Sequence, residues 1–230
     1  MVSHLESATM FVPGRASYID EEGLLQLTEA SRHRGEVADT IFDPEFHYMA
    51  LFAGGYPGLA QGWSEDLVPP KDRREAHLMA QPLKDRLAAQ GYGKDVDLLV
   101  RTQGDSNNSI GDVILSVEQG LLIPDDFNSD NGHGIDLVAG FMHGLRFRRI
   151  LARALDMDPE RIRRVPMRDT YGTPAYPHQS AESSAKAVAK ECAGIALTEL
   201  VLRDVKPGDI NGLKDAEQRL ISMIQKEQAA

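Results

Sequence analysis

The stretch DLLVRTQGDSNNSIGDVILSVEQG (Asp97–Gly120) contains an apolar run, a polar segment and an apolar segment with helical spacing. The apolar run is typical of a buried strand, and the spacing from Asn108 onward predicts a helix. The polar segment between them holds residue types that cap helices or line ligand sites: Asp105, Ser106, Asn108 and Ser109. The stretch therefore predicts a strand, a loop suited to a ligand and a helix.

The same order recurs along the chain. Apolar runs that end in glycine or polar residues predict strands at Ala8–Gly14, Phe46–Gly55, Asp95–Thr102, Gly134–Gly140 and Glu160–Arg168. Helical spacing predicts helices at Gly23–Phe42, Asp72–Gln90, Asn108–Leu122, Met142–Met157, Ser180–Asp204 and Asn211–Gln228. Strands that alternate with helices indicate an α/β fold, a parallel sheet with helices on both faces. We therefore expect an α/β domain over residues 1–178, with a C-terminal helical extension over residues 179–230 packed on it.

The composition is that of a globular protein without a basic surface. Of 230 residues, 42% are hydrophobic and 26% are charged, and 25 basic against 35 acidic residues leave a net charge of −10. This balance argues against nucleic acid or an anionic membrane as a partner. No apolar run approaches the roughly 20 residues needed to span a bilayer, and the N-terminus lacks a signal-peptide pattern. Cys192 is the single cysteine, which excludes an intramolecular disulfide and favours a reducing cytoplasm.

The predicted strand ends carry the candidate binding residues. Parallel strands bring their carboxyl ends to one edge of the sheet, where α/β proteins bind ligands. Gly14-Arg15 and Gly54-Gly55 follow the first two strands, and glycine lets the backbone approach a ligand closely. Ser106–Ser109 follows the third strand at a helix start, where unpaired N–H groups favour anions. We expect this segment to be both a helix cap and one wall of a site.

His143 and Arg146 lie three residues apart near the start of the helix after the fourth strand, so they share one helix face. Positive charge is unfavourable at a helix N-terminus, and a nearby phosphate or carboxylate would relieve it. Ordinary structural roles stay open as well. Ser106 or Asn108 could simply cap the helix, His143 could be a core or surface residue, and Arg146 could belong to a solvated face.

Several familiar motifs are absent from the chain. The sequence has no G-x-G-x-x-G after a strand, no G-x-x-x-x-G-K-[ST] phosphate loop and no G-x-S-x-G nucleophile elbow. His133 and His178 have no companions at ligand spacing, so no metal site is predicted.

The succession of segments resembles the YdcF-like family, which includes the SanA- and ElyC-type envelope proteins of bacteria. FVPGR and LFAGG resemble the family's first two strand ends, and REAHLMA resembles its glutamate-bearing helix start, which places Glu75 and Met79. QGDSNNSIGD resembles the serine-asparagine segment, and VAGFMHGLRF resembles the histidine-arginine motif. The chain departs from the pattern at Gln103 and Gly111, where the family tends to have Glu, and at Asp112, where it has Asn.

This resemblance implies a Rossmann-like fold and a nucleotide-type ligand, with S-adenosylmethionine binding attributed to the soluble YdcF type. It implies no settled reaction. The residues expected to bind ligand are Gly14, Arg15, Gly54, Gly55, Asp105, Ser106, Asn108, Ser109 and Arg146. The residues expected to be catalytic are His143 and Glu75.

Three functions stay open at this point. The first is a binding protein or transferase-like enzyme for S-adenosylmethionine or another nucleotide. The second is a hydrolase or lyase for a phosphorylated or carboxylated metabolite, in which Arg146 binds the anion and His143 is general acid or base, oriented by Glu75 or Asp105. The third is a non-catalytic partner protein that uses its C-terminal helices, through which a homodimer could also form.

Overall fold

The computed structural model describes residues 6–15, 17–55, 69–106, 108–128, 132–167 and 184–228. Its strands are β1 (Ser7–Pro13), β2 (Ser17–Ile19), β3 (Leu25–Leu27), β4 (His47–Ala53), β5 (Val100–Gln103), β6 (His133–Leu137) and β7 (Ile162–Arg164). Its helices are α1 (Glu29–Ile41), α2 (Glu75–Ala89), α3 (Val96–Leu99), α4 (Ser109–Glu118), α5 (Pro124–Asn128), α6 (Phe141–Ala154), α7 (Ser184–Leu202) and α8 (Ile210–Gln228).

The central sheet has five parallel strands in the order β5-β4-β1-β6-β7. From β1 the chain adds strands first on one side and then on the other, so the order reverses between β1 and β6. Loops that leave these two strands diverge to opposite faces, and the resulting crevice at their carboxyl ends is the usual binding position in such sheets. The predicted Rossmann-like α/β fold is confirmed.

Two apolar clusters cover the two faces of the sheet. Successive side chains of β1 alternate between them, as a strand buried on both sides requires. Phe11 packs with residues of α4, α6, α7 and α8, and Met10 and Val12 pack with residues of α1, α2 and α3. The C-terminal helices α7 and α8 thus complete one face of the sheet, through α6 and α4 respectively.

The prediction of a helix from Gly23 was wrong at its start. Leu25–Leu27 instead forms β3, which pairs with β2 in an antiparallel hairpin. Gly23 has a φ of 78°, which breaks a helix, and Asp20 accepts hydrogen bonds from the backbone N–H groups of the turn. The helix begins only after Thr28, whose side chain accepts a hydrogen bond from the Ser31 N–H.

Two other predicted strands are shorter than expected. In Asp95–Thr102 the residues Val96–Leu99 form a helical turn, and the strand begins at Val100. A short apolar run does not distinguish the two structures by periodicity. Near the last strand, Pro159–Arg161 is a 3-10 turn and only Ile162–Arg164 pairs with the sheet. The end of that predicted strand at Arg168 and the boundary expected at residues 178 and 179 lie outside the described residues.

None of the helices in the described part of the chain is long and apolar enough to cross a membrane.

Candidate functional site

The carboxylate of Glu75 lies where the ends of β1 and β4 meet. Its Oε1 accepts hydrogen bonds from the Arg15 backbone N–H at 3.0 Å and from the Ser31 hydroxyl at 2.6 Å. A Cβ at Gly14 would overlap this carboxylate, and one at Gly54 would lie 3.0 Å from its Oε2. Gly54 also has a φ of 141°, a conformation that other residues rarely adopt. The glycines after β1 and β4 therefore make room for a protein carboxylate as well as for close backbone contacts.

Arg34 holds the loop after β1 from below. Its guanidinium is 3% exposed and donates to the carbonyl oxygens of Pro13 and Gly14 at 2.6 and 3.0 Å. Burial lowers the pKa of Arg34 to about 9, and the positive charge of Arg15 adds to the decrease. The side chain therefore stays charged at neutral pH and places a positive charge beneath the crevice.

At the end of β5, Ser106 connects two other buried polar side chains. Its hydroxyl lies 3.0 Å from Gln103 Oε1 and in a short contact with Asp112 Oδ1. Burial raises the pKa of Asp112 to about 7, partly opposed by the hydrogen bond with Ser106, and the negative charge of Glu75 adds to the rise. A hydroxyl has one hydrogen. Ser106 therefore donates to Asp112 when that carboxyl is ionised, and to Gln103 when protonated Asp112 donates to Ser106.

Asn108 is the cap of α4. Its Oδ1 accepts from the N–H groups of Ile110 and Gly111 at 3.0 and 2.9 Å, which satisfies two donors at the helix start. Its Nδ2 donates to Glu217 Oε1 of α8 at 2.6 Å. The amide therefore joins the wall of the crevice to the C-terminal helix, and the predicted capping role is present.

His143 occupies the opposite wall, on α6. Its side chain is 4% exposed and rests edge-on against the Phe147 ring, with ring centres 4.9 Å apart. Among the residues that the structure describes, its buried Nδ1 has no hydrogen-bond partner. Burial lowers the pKa of His143 well below its usual value, and the positive charges of Arg34, Arg146 and Arg15 lower it further. The ring is therefore neutral at pH 7.

Helix α7 closes the crevice next to Arg15 and Arg146. Glu191 Oε1 forms a 2.6 Å ion pair with Arg15, and the Glu191 side chain is 4% exposed. One turn later, the Arg146 guanidinium lies against Gly194, where a Cβ would come within 2.9 Å of Nη1. The site therefore receives residues from a helix far along the chain.

The structure brings together most of the residues expected from the sequence. The crevice contains Gly14, Arg15, Gly54, Gly55, Glu75, Ser106, Asn108, His143 and Arg146. Ser109 is the first residue of α4, beside the cap, and is half-buried. Asp105 lies at the rim with an exposed side chain, where it forms ion pairs with Arg74 and with Lys71.

The expected orientation of His143 by Glu75 or Asp105 does not occur in this structure. The Glu75 carboxylate accepts from Arg15 and Ser31, and Asp105 pairs with basic residues at the rim. The neutral state of His143 also makes the ring better suited to accept a proton than to donate one.

The sequence-based prediction missed several polar residues of the site: Ser31, Arg34, Gln103, Asp112, Glu191 and Glu217. Ser31 and Arg34 are three residues apart on α1, the helix that follows the first glycine turn, and this position is a signal that could have found them. No such signal exists for Glu191 and Glu217, because their partners are distant in the sequence. Glu217 accepts a hydrogen bond from a residue 109 positions earlier, and Glu191 pairs with Arg15.

Comparisons of the chain with protein-family models, curated proteins and solved structures found no match. The YdcF-like resemblance therefore stays a prediction from its motifs. No group of three or more histidine, cysteine or acidic side chains within the described ranges could hold a metal ion.

Proposed function

We propose that this protein binds S-adenosylmethionine, which the YdcF-like motifs imply, or another nucleotide or anionic metabolite in the crevice at the carboxyl ends of β1, β4 and β6. S-adenosylmethionine carries a sulfonium and an ammonium group, so its carboxylate is the group that the arginines would bind. The observation that carries the proposal is the convergence of Arg15, Arg34 and Arg146 on the buried, neutral His143, where the strand order reverses.

This arrangement supports an anion as the ligand. The three guanidiniums place positive charge around the buried ring of His143, which keeps the ring neutral and favours a negative group nearby. Arg15 and Arg146 provide forked donors for a phosphate or carboxylate. Helix α6 begins at Phe141, after the cap residue Gly140. The positive end of its dipole therefore lies near this edge of the sheet, where it favours an anion.

A thermal denaturation panel tests the proposal. The probes are S-adenosylmethionine, S-adenosylhomocysteine, nicotinamide dinucleotides, nucleoside phosphates and sugar phosphates, with the wild type and Arg146→Ala side by side. A ligand at about 100 times its Kd adds roughly 2.7 kcal/mol to the free energy of unfolding, a shift of a few degrees. We expect one ligand class to produce this shift in the wild type and to lose it in Arg146→Ala.

Arg149→Ala is the matched control. Arg149 lies on the same helix, is 40% exposed and pairs with Glu199 on the surface. It should leave the ligand shift unchanged. No shift with any probe, or a shift that survives in Arg146→Ala, would contradict the proposal.

A second candidate is hydrolysis or elimination on the bound anion. The specific observation in its favour is Asp112, whose pKa of about 7 suits proton transfer near neutrality. The neutral ring of His143 would act there as a hydrogen-bonding or proton-accepting group. His143→Ala should then still bind the probe that stabilises the wild type, but should no longer release phosphate or form product from it. Equal turnover in the variant and the wild type would eliminate this candidate.

A further inference from the structure

We infer that Glu191 of α7 contacts the ligand and selects molecules that carry a hydrogen-bond donor, an ammonium or hydroxyl group, beside their anionic group. The inference rests on the proposed function, because it concerns the same crevice. It goes further because it assigns α7 a role in ligand specificity.

The first observation is the state of the Glu191 carboxylate. One oxygen, Oε1, pairs with Arg15 at 2.6 Å. The other, Oε2, is buried and has no hydrogen-bond partner among the residues that the structure describes. A buried carboxylate oxygen without a donor is unfavourable, and a counter-ion for the 39% exposed Arg15 needs no such burial. An incoming donor group would satisfy it.

The second observation is the position of this oxygen within the site. The negative charge of Glu191 opposes the lowering of the Arg34 pKa by burial, so Glu191 lies near the floor of the crevice as well as beside Arg15. The neighbouring helix α6 provides a second buried atom without a hydrogen-bond partner in the described part of the chain, His143 Nδ1. Donors and acceptors are therefore both present around the crevice, and a ligand with a single type of polar group would leave some of them unused.

The third observation is the pattern of the buried face of α7. Over the sheet this face is apolar, with Val201 and Leu202 in the core. Toward the carboxyl edge of the sheet it changes to Thr198, Gly194 and Glu191. A helix present only for packing would continue its apolar face, whereas Gly194 lets α7 approach Arg146 and Glu191 brings a charge into the crevice.

The charges support a ligand with both kinds of group. Glu191 pairs with Arg15. Its negative charge and that of Glu75 also act on Arg34. The site therefore presents charges of both signs. A ligand with an anionic group and a nearby ammonium or hydroxyl group would bind the arginines with the first and Glu191 with the second.

Matched pairs of probes that differ only in the donor test the inference. One pair is O-phosphoethanolamine and ethyl phosphate, and the other is S-adenosylhomocysteine and its analogue without the α-amino group. Dissociation constants are measured by isothermal titration calorimetry with the full chain. We expect at least one pair to show a preference of about tenfold or more for the amine-bearing member in the wild type. In Glu191→Gln this preference should fall to about twofold or less.

Glu199→Gln is the control, because Glu199 lies on the same helix but is 52% exposed and pairs with Arg149 at the surface. It should keep the wild-type preference. The wild-type ratio is diagnostic by itself if Glu191→Gln fails to fold. Equal affinity for both members in the wild type, with binding that still requires Arg146, would overturn this inference and leave the proposed function standing. A preference that persists in Glu191→Gln would also overturn it. Absence of binding by every probe would overturn both.

Discussion

At the scale of single residues, several residues of the site have roles in the structure that their positions in the sequence did not indicate. Gly14 and Gly54 were expected to let the backbone approach a ligand, and they also leave space for the Glu75 carboxylate. In the hydrolase or lyase hypothesis Glu75 or Asp105 was expected to orient His143. Glu75 instead orders the loop after β1 through Arg15 and Ser31. The site is therefore held together by a protein carboxylate before any ligand enters.

Asp112 provides a pH-dependent prediction at this scale. Burial raises its pKa from 3.8 to about 7, so the folded state holds a proton that the unfolded state releases between these two values. The contribution of this group to the free energy of unfolding is present at low pH and is lost as the pH rises from about 4 to about 7. We expect Asp112→Asn, which keeps a donor for Ser106, to remove this loss.

Urea unfolding at pH 5 and pH 8 measures the effect. Relative to the wild type, Asp112→Asn should gain roughly 2 kcal/mol on going from pH 5 to pH 8. Asp125→Asn is a control outside the crevice, on the short helix α5, and should show no such gain. Parallel pH profiles for Asp112→Asn and the wild type would mean that Asp112 is ionised in the folded protein.

At the scale of elements, the side chain of Asn108 links the start of α4 to α8. Asn108 satisfies two N–H groups at the start of α4 and donates to Glu217 of α8, so it acts both within a helix and between helices. A cap is recognisable from sequence because its hydrogen bonds are local. The second bond is recognisable only after the chain has folded back over the sheet.

Asn108→Ala should lose both contributions. Removal of a cap of this kind costs about 0.5–2 kcal/mol, and the lost bond to Glu217 should add to that cost. Asn108→Ser keeps an acceptor for the helix start but is too short to replace the amide donor. Chemical denaturation should therefore rank the stabilities as wild type, Asn108→Ser and Asn108→Ala, from highest to lowest. Equal stabilities of the serine and alanine variants would argue against the capping role.

At the scale of the whole molecule, the C-terminal helices belong to the core. Leu213 and Ala216 of α8 are fully buried with residues of β1, α4 and α6, and Val201 and Leu202 of α7 join the same cluster. Without them the apolar residues that α4 and α6 bury against α7 and α8 would be exposed. We expected the extension to pack on the same domain, and these residues lie in its core. A homodimer through the same helices stays a prediction.

Leu213→Ala tests this arrangement. A fully buried leucine replaced by alanine costs about 2–5 kcal/mol, because apolar contacts are lost and a cavity forms. Met223→Ala, at a position that is 37% exposed on the same helix, should change the free energy of unfolding by about 0.5 kcal/mol or less. If urea denaturation gave similar small losses for both variants, α8 would not be part of the cooperative core.

Hydrophobic periodicity and the residues that follow each strand made the fold and about half of the site predictable from the sequence. Strand ends in a parallel sheet necessarily meet at one edge, so the glycines, Ser106 and the pair His143 and Arg146 could be assigned to one crevice from their positions alone. Where local signals conflicted the prediction failed, as at Leu25–Leu27, which fits a helix by spacing but pairs as a strand after the turn at Gly23.

The sequence by itself determined the α/β class, the edge of the sheet that carries the site and the residues that follow each strand, since periodicity and strand order depend on near neighbours. Only the tertiary structure decided that Glu191 pairs with Arg15 and that Glu217 accepts from Asn108. It also decided that His143 is neutral and that the pKa of Asp112 is about 7. The physical reason is that burial and the charges of neighbouring groups set these properties. Those neighbours come from helices that are distant in the chain and adjacent only once the protein has folded.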